Sequence, residues 1–216
     1  MCGRYSLRTP GSVRYRRLDD NIPLPPPRFN IAPSQISPIV VLGDGAPGIL
    51  AARWGFQPGW ALRKSIRPMI NARAESAASK PMFRNAFRGH RCLVPADGWY
   101  EWHMEGRQKR PYFIHHPEDS VFYFAGLWAP GTDETPPNYL IITRAALPDL
   151  DWLHHRQPVV LPEVDFDAWL SGQTPVENAK RLVEDTPNAK FEAYEVSTVV
   201  NAPSNDDARC VQRKAR

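Results

Sequence analysis

Along this chain the apolar residues fall mainly in short alternating or continuous runs, the pattern of β-strands, and only a few stretches repeat at helical spacing. Arg4 to Leu7 reads as an opening strand, and Ile36 to Leu42 and Ile49 to Phe56 read as a hairpin turned by Gly43-Asp44-Gly45. Arg91 to Val94, Gly98 to His103, Tyr112 to Ile114, Val121 to Trp128, Tyr139 to Thr143 and Val159 to Leu161 continue as strands. Phe191 to Val200 closes the sheet, and a polar tail of about residues 207–216 follows it. Helical spacing is confined to Ser12 to Leu18, Met82 to Arg88 with Gly89 as its stop, a turn from Asp149 to His155, Glu163 to Leu170, and Val176 to Glu184. The proline run from Ile22 to Pro27 is extended, because each proline fixes its own φ and restrains the residue before it. Strands dominate and helices punctuate them. The pattern therefore predicts one α+β domain over residues 1–216, with curved antiparallel sheets forming a partly closed barrel and short helices at its periphery.

Composition sharpens this picture without changing it. A chain of 216 residues buries most of its apolar surface without staples, and 23 prolines call for short elements and many turns. Three cysteines, Cys2, Cys92 and Cys210, show no CxxC spacing, which argues against a disulfide framework and a zinc site and suits a reducing, cytoplasmic setting. There is no apolar signal core at the start and no run long enough to span a bilayer, so no membrane role is expected. The net charge is only +4, but the basic residues divide into 21 Arg and 6 Lys. Arginine pairs bidentately with phosphate and stacks on flat rings, so this ratio leans toward nucleic acid; a GC-rich genome would give the same bias.

The candidate chemistry begins at Cys2. With Met1 removed, Cys2 carries an α-amine and a thiol on one Cα, a 1,2-aminothiol that can capture one aldehyde carbon twice. Reference pKa values of about 8 for the amine and about 8.5 for the thiol put both near readiness at neutral pH. The ordinary alternative is an inert core cysteine. Glu101 sits among Trp99, Tyr100 and Trp102, where burial would make it a general acid or base, although a surface carboxylate on a strand with one aromatic face gives the same string. His154 and His155 offer imidazoles beside Arg156, or are exposed loop residues. Asn71 and Arg73, alternating around Ala72, would share one face of an extended segment, the first orienting an oxygen and the second holding a phosphate. Trp60 and Trp102 are candidate platforms for unpaired bases, against the usual core role of tryptophan.

Seven motifs occur in order: Met1-Cys2-Gly3-Arg4, Arg28-Phe29-Asn30-Ile31-Ala32-Pro33, Arg53-Trp54-Gly55, Ile70-Asn71-Ala72-Arg73-Ala74-Glu75, Ala96-Asp97-Gly98-Trp99-Tyr100-Glu101-Trp102, His154-His155-Arg156-Gln157-Pro158, and Val196-Ser197 through Asn201. Together they resemble the SOS response-associated peptidase (SRAP) family nearly end to end. The resemblance implies a monomer that binds single-stranded DNA, including at junctions with duplex, and crosslinks itself to abasic sites, without cofactor or metal. It further implies that Cys2 is the nucleophile, that Asn71 bonds the terminal amine or sugar, that Glu101 shuttles protons, and that His154 assists sugar ring opening and protects or reverses the adduct. Arg4, Arg73 and Arg156 correspond to phosphate clamps, and Asn30, Pro33, Trp60 and Trp102 complete the expected DNA-contacting set. Gln157 stands where many relatives carry Met, and Ala61, next to Trp60, where some carry a second tryptophan. Localisation would be cytoplasmic, with the nucleoid when bound to DNA. Two other readings stay open. The first is an N-terminal-cysteine peptidase that removes its own first residue; the second is a noncatalytic single-strand binder, for which Cys2→Ala would keep full function.

Overall fold

The alternation at Tyr5-Ser6-Leu7 becomes a strand on which both sheets of the molecule depend. A computed structural model describes residues 2–13, 25–43, 45–187 and 189–214. In chain order its elements are β1 (Tyr5–Leu7), β2 (Arg28–Ile31), β3 (Ile36–Leu42), β4 (Pro47–Trp54), α1 (Gly59–Arg63), β5 (Asn71–Arg73), α2 (Ala74–Ala77), α3 (Arg84–Gly89), β6 (Arg91–Ala96) and β7 (Gly98–Glu105). They continue as β8 (Gln108–His115), β9 (Phe122–Ala129), β10 (Asn138–Ala145), α4 (Pro148–Asp151), β11 (Arg156–Pro158), β12 (Val160–Leu161), α5 (Phe166–Leu170), α6 (Val176–Glu184) and β13 (Glu192–Glu195). None of the helices among the described residues is long and apolar enough to cross a membrane.

One five-stranded antiparallel sheet runs β13-β8-β7-β1-β2, and a larger sheet runs β11-β10-β4-β3-β6-β9-β12, with β5 on β10. In the larger sheet β9 also pairs back to β10, so the strands between them form a partly ring-like surface. The α+β class and the curved, partly closed sheet are as the pattern predicts. The purely antiparallel expectation is not: β10 runs parallel to both β4 and β5.

Between the sheets lies the main core, in which Tyr5, Trp54, Trp99, Phe124 and Tyr139 are all buried. Tyr5 struts the two sheets together. Its hydroxyl lies 2.7 Å from Ser37 Oγ on β3 and 2.6 Å from Tyr139 Oη on β10. Its ring meets the edges of Trp54 at 5.2 Å and Phe124 at 6.0 Å. Such buried hydroxyls are affordable only because each has a partner. At the far end of β1 the buried carboxylate of Asp97 accepts from Ser6 Oγ at 2.7 Å, Arg8 Nε at 3.0 Å, Thr9 N at 3.1 Å and the Arg8 backbone amide.

Several local expectations change. Of the helix expected at Ser12 to Leu18, Ser12 ends a 3₁₀ turn over Pro10–Ser12, and residues 14–18, like 22–24 of the proline run, lie outside the described residues. The strand expected through Val200 ends at Glu195; Thr198–Asn201 wind into a 3₁₀ turn capped by Ser197 Oγ, which accepts from Val199 N at 3.3 Å. The polar tail is docked as far as residue 214. Cys210 is buried beside Tyr100, Phe113, Val196 and Val200 in a second apolar cluster, and Lys214 N donates to Glu195 O at 2.9 Å. Two apolar side chains, Cys210 and Val211, anchor this otherwise charged segment.

Gly98 is where β7 crosses the ring of Phe113: a Cβ there would lie 2.1 Å from Phe113 Cζ and 3.0 Å from Ile114 O. Gly98→Ala should therefore destabilise by about 1–3 kcal/mol, lowering the melting temperature by roughly 3–10 °C. Thermal unfolding followed by circular dichroism checks this, and an unchanged transition would contradict the packing described.

Candidate functional site

The chain enters the fold through residues 2 to 5, and each is held by a different element. Tyr100 N donates to Arg4 O at 3.0 Å, Asn71 Nδ2 donates to Cys2 O at 2.8 Å, and the Cys2 thiol points back toward Arg4 O at 3.8 Å. Cys2 itself has no exposed surface. The Arg4 guanidinium donates to Asn30 Oδ1 at 2.7 Å and Val200 O at 2.8 Å, and lies over the Trp102 ring at 5.7 Å from its centroid. Asn30, fully buried, turns its amide to Val200 O, Ala202 O and Asn205 O at 3.2, 3.1 and 2.6 Å.

Strand alternation places the remaining chemistry. On β7, Trp99 faces the main core while Tyr100 and Trp102 face the second apolar cluster, which puts Glu101 on the same face as Trp99. Glu101 is 4% exposed, and burial pushes its carboxyl up to about 7. Burial, reinforced by the charge of Glu101, pushes the Cys2 thiol far above its ordinary range. The two acids are thus electrostatically linked. At pH 7 the thiol keeps its proton, and the carboxyl is divided between its two forms. Asn71 opens β5 at the level of Ile141 on β10, and its Oδ1 is buried with no hydrogen-bond partner among the described residues.

His154 follows the turn after α4, where Leu150 and Leu153 are driven into the core. It lines a small pocket with Trp99, Glu101, Ile114, Arg156 and Gln157. Its Nδ1 accepts the Arg156 amide proton at 2.9 Å. The Arg156 carbonyl lies 3.1 Å from the same nitrogen, but an amide N–H can only donate, so Nδ1 carries the lone pair and the ring proton sits on Nε2. Burial lowers the imidazole pKa, which keeps the ring neutral at pH 7. Glu101 and His154 therefore share a pocket as an acid poised to titrate and a neutral donor.

The DNA-contacting set expected from the motifs divides by exposure. Arg73 is exposed at the end of β5; Trp60 in α1, Pro33 in a turn and Trp102 midway along β7 are half-buried. Trp102 is oriented by its Nε1, which donates to Asn201 Oδ1 at 2.8 Å. Arg156 is buried and forks onto Glu75 at 2.6 and 3.0 Å, with a further bond to Thr143 O at 2.6 Å. Asn30 has no exposed surface, and its amide is occupied in holding Arg4 and the 200–205 segment. Arg4 likewise serves that internal network. The carbonyls of Thr143 and of residues 200–202 are not singled out by the sequence, since a backbone acceptor leaves no trace in side-chain identity. Among the described residues no group of three or more His, Cys, Asp or Glu side chains is arranged to hold a metal ion.

An α+β fold of two curved sheets, with a cysteine at the head of a central strand packed against an asparagine and a near-neutral carboxyl, defines the class of protein. The SOS response associated peptidase (SRAP) family matches residues 1–203, and the chain belongs to that family. It is 34% identical over 223 residues to the abasic site processing protein YoqW of Bacillus subtilis (strain 168), covering 98% of this chain and 99% of that one. It is 28% identical to the abasic site processing protein YedK of Escherichia coli (strain K12), with 98% and 99% covered. The abasic site processing protein HMCES of Xenopus tropicalis is also 28% identical, over 86% of this chain and 65% of that protein. Among solved structures, a protein from Bacteroides thetaiotaomicron superposes with a TM-score of 0.78 at 24% identity, covering 99% of this chain and all of the other. A phage-related protein from Bordetella bronchiseptica superposes at 0.74 with 31% identity, covering 90% and 94%.

The raised carboxyl carries a stability signature. Because the folded protein holds the Glu101 proton more tightly than the unfolded chain, the associated stability is fully present below the ordinary value of 4.5 and is lost as pH rises through about 7. A rise of that size corresponds to about 3 kcal/mol. Relative to wild type, Glu101→Gln should gain up to about that much stability by pH 8, the gain shrinking toward pH 4.5. Urea unfolding across this range checks the sign, and a difference independent of pH would contradict the burial of Glu101.

Proposed function

We propose that this chain processes abasic sites in single-stranded DNA, and that Cys2, made N-terminal by removal of Met1, captures the lesion covalently. The observation that carries the reading is the hydrogen bond from Asn71 Nδ2 to Cys2 O at 2.8 Å, next to a carboxyl raised to about 7. It fixes the residue that would bear both nucleophiles beside a group able to give and take protons at neutral pH. The names of the relatives, abasic site processing proteins, support the substrate class.

The chemistry balances without redox or cofactor. The abasic sugar opens to its aldehyde, with the ring oxygen gaining a proton and receiving a hydrogen bond from the neutral His154 Nε2–H. The Cys2 amine, with a reference pKa of about 8, adds to the aldehyde carbon to give a carbinolamine. Glu101 protonates the departing hydroxyl, one water leaves, and the nitrogen, keeping its remaining hydrogen, becomes an iminium. The thiol sulfur then adds to the same carbon, its proton passing to the Glu101 carboxylate and restoring the acid, and the five-membered thiazolidine closes. A thiol held protonated by burial needs a base at that moment, and Glu101 is the acid whose pKa is matched to the task. The buried Asn71 Oδ1 offers an acceptor for the amine hydrogens. Exposed Arg73 supplies charge for the strand, and the half-buried rings of Trp60 and Trp102 supply apolar surface for it.

Incubation with an abasic single-stranded oligonucleotide and a denaturing gel test the reading. Wild-type protein should give a covalent shift that undamaged DNA, Cys2→Ala and protein retaining Met1 do not; a shift from Cys2→Ala would refute it. Glu101→Gln should slow adduct formation about 100-fold while leaving DNA affinity nearly intact, and an unchanged rate would remove Glu101 from the mechanism. Arg73→Ala should flatten the slope of log affinity against log salt by about 0.7, the share of one phosphate on a single strand. An unchanged slope would take Arg73 off the strand's path.

A further inference from the structure

The β7–β8 ribbon has a face that leads out of the pocket, and its outer end carries an aromatic side chain that the motifs do not include. Residues paired directly across an antiparallel ladder share a face. Trp99 pairs with Ile114, Glu101 with Tyr112 and His103 with Arg110. Trp99 and Ile114 are buried, Glu101 is nearly so, and Tyr112 and His103 are half-buried, so this face runs from core to surface. Across its outer part lies Trp152. Its ring centroid is 5.2 Å from Tyr112 at 87° and 5.4 Å from His103 at 61°. Its Nε1 donates to Asp149 O at 3.0 Å.

Trp152 is 49% exposed, while Leu150 and Leu153 on the same turn are buried and His154 lines the Glu101 pocket. One turn thus sends two leucines into the core, an imidazole into the pocket and an indole to the surface beside it. The indole is oriented by edge-to-ring contacts and one hydrogen bond, not by being covered. Trp102 is differently placed: it sits on the opposite face of β7, with the Arg4 guanidinium over its ring.

We infer that Trp152 is a stacking platform for the base of the nucleotide next to the abasic residue. This rests on the proposed reading of Glu101 and His154 as the groups that act on the abasic sugar. A base beside an abasic residue has lost the neighbour it would stack on, so an aromatic ring fixed next to their pocket takes the missing neighbour's place. Stacking of this kind tolerates any base, since each has a π-face. Exposed Arg107 and Lys109 at the tip of the same ribbon provide positive charge for the adjoining phosphates.

The test measures binding apart from covalent capture. In a Cys2→Ala background, affinity for a single strand carrying a tetrahydrofuran abasic analogue is measured by fluorescence anisotropy, with Trp152, Trp152→Ala or Trp152→Phe. Trp152→Ala should bind about 10-fold more weakly, and Trp152→Phe should recover most of the loss. Replacing the base on one side of the analogue by a second tetrahydrofuran should erase the difference between Trp152 and Trp152→Ala, and replacing the base on the other side should leave it. Equal affinity of the Trp152 and Trp152→Ala proteins, or a loss that neither replacement alters, would overturn the inference and leave Trp152 a prop for the His154 turn. Failure of crosslinking by the Cys2 protein would instead count against the reading of Cys2, because this measurement involves no covalent step.

Discussion

The structure depends on immobilising the first residues of the chain. Termini ordinarily fray, and ordering each backbone residue costs about 1–2 kcal/mol. Here β1 is only three residues long, yet it lies between β2 and β7 in the middle of a sheet. The Tyr5 hydroxyl ties it to β3 and β10, Asp97 gathers the Ser6 hydroxyl and the amides that follow the strand, and the Arg4 fork fixes the residue before it to Asn30 and Val200. Each such bond contributes about 1 kcal/mol, and together they offset the ordering cost. Their product is a Cys2 whose carbonyl is held by Asn71 and whose following residues are held by the β1 ladder.

Electrostatics follow from that immobilisation. Burial raises both the Cys2 thiol and the Glu101 carboxyl, and the charge of Glu101 raises the thiol further. A carboxyl in that condition gives and takes a proton near neutrality while the thiol keeps its own, whereas an exposed carboxylate would stay ionised and an exposed thiol would react with whatever reached it. The neutral His154 tautomer adds a donor without adding charge to the same pocket. Around this low-charge centre the arginines are sorted: Arg4 and Arg156 are buried and locked onto protein acceptors, while Arg73 remains at the surface.

Much of this was legible in the sequence, and what was not has a common cause. The strand Ile36–Leu42 and the helix Val176–Glu184 match their patterns at both ends, because period and flanking breakers are local signals. The facing of Glu101 with Trp99, away from Tyr100 and Trp102, followed from alternation alone. The parallel pairing of β10 with β4 and β5 joins segments far apart in the chain, and no local pattern encodes it. A polar residue in a motif gives no hint of burial, so the network of backbone carbonyls that the Asn30 amide closes was not legible. Trp152 escaped notice for the converse reason, since tryptophan is usually core and only a structure reveals one that is oriented yet uncovered.

The central claim, that one sugar carbon is joined to both nucleophiles of Cys2, is tested most directly by mass spectrometry of the product with an abasic oligonucleotide. The account predicts an adduct whose mass is that of the protein without Met1 plus the oligonucleotide less one water. Digestion should place the attachment on the N-terminal peptide beginning at Cys2. An adduct on any other peptide, or one formed by protein that still carries Met1, would contradict it.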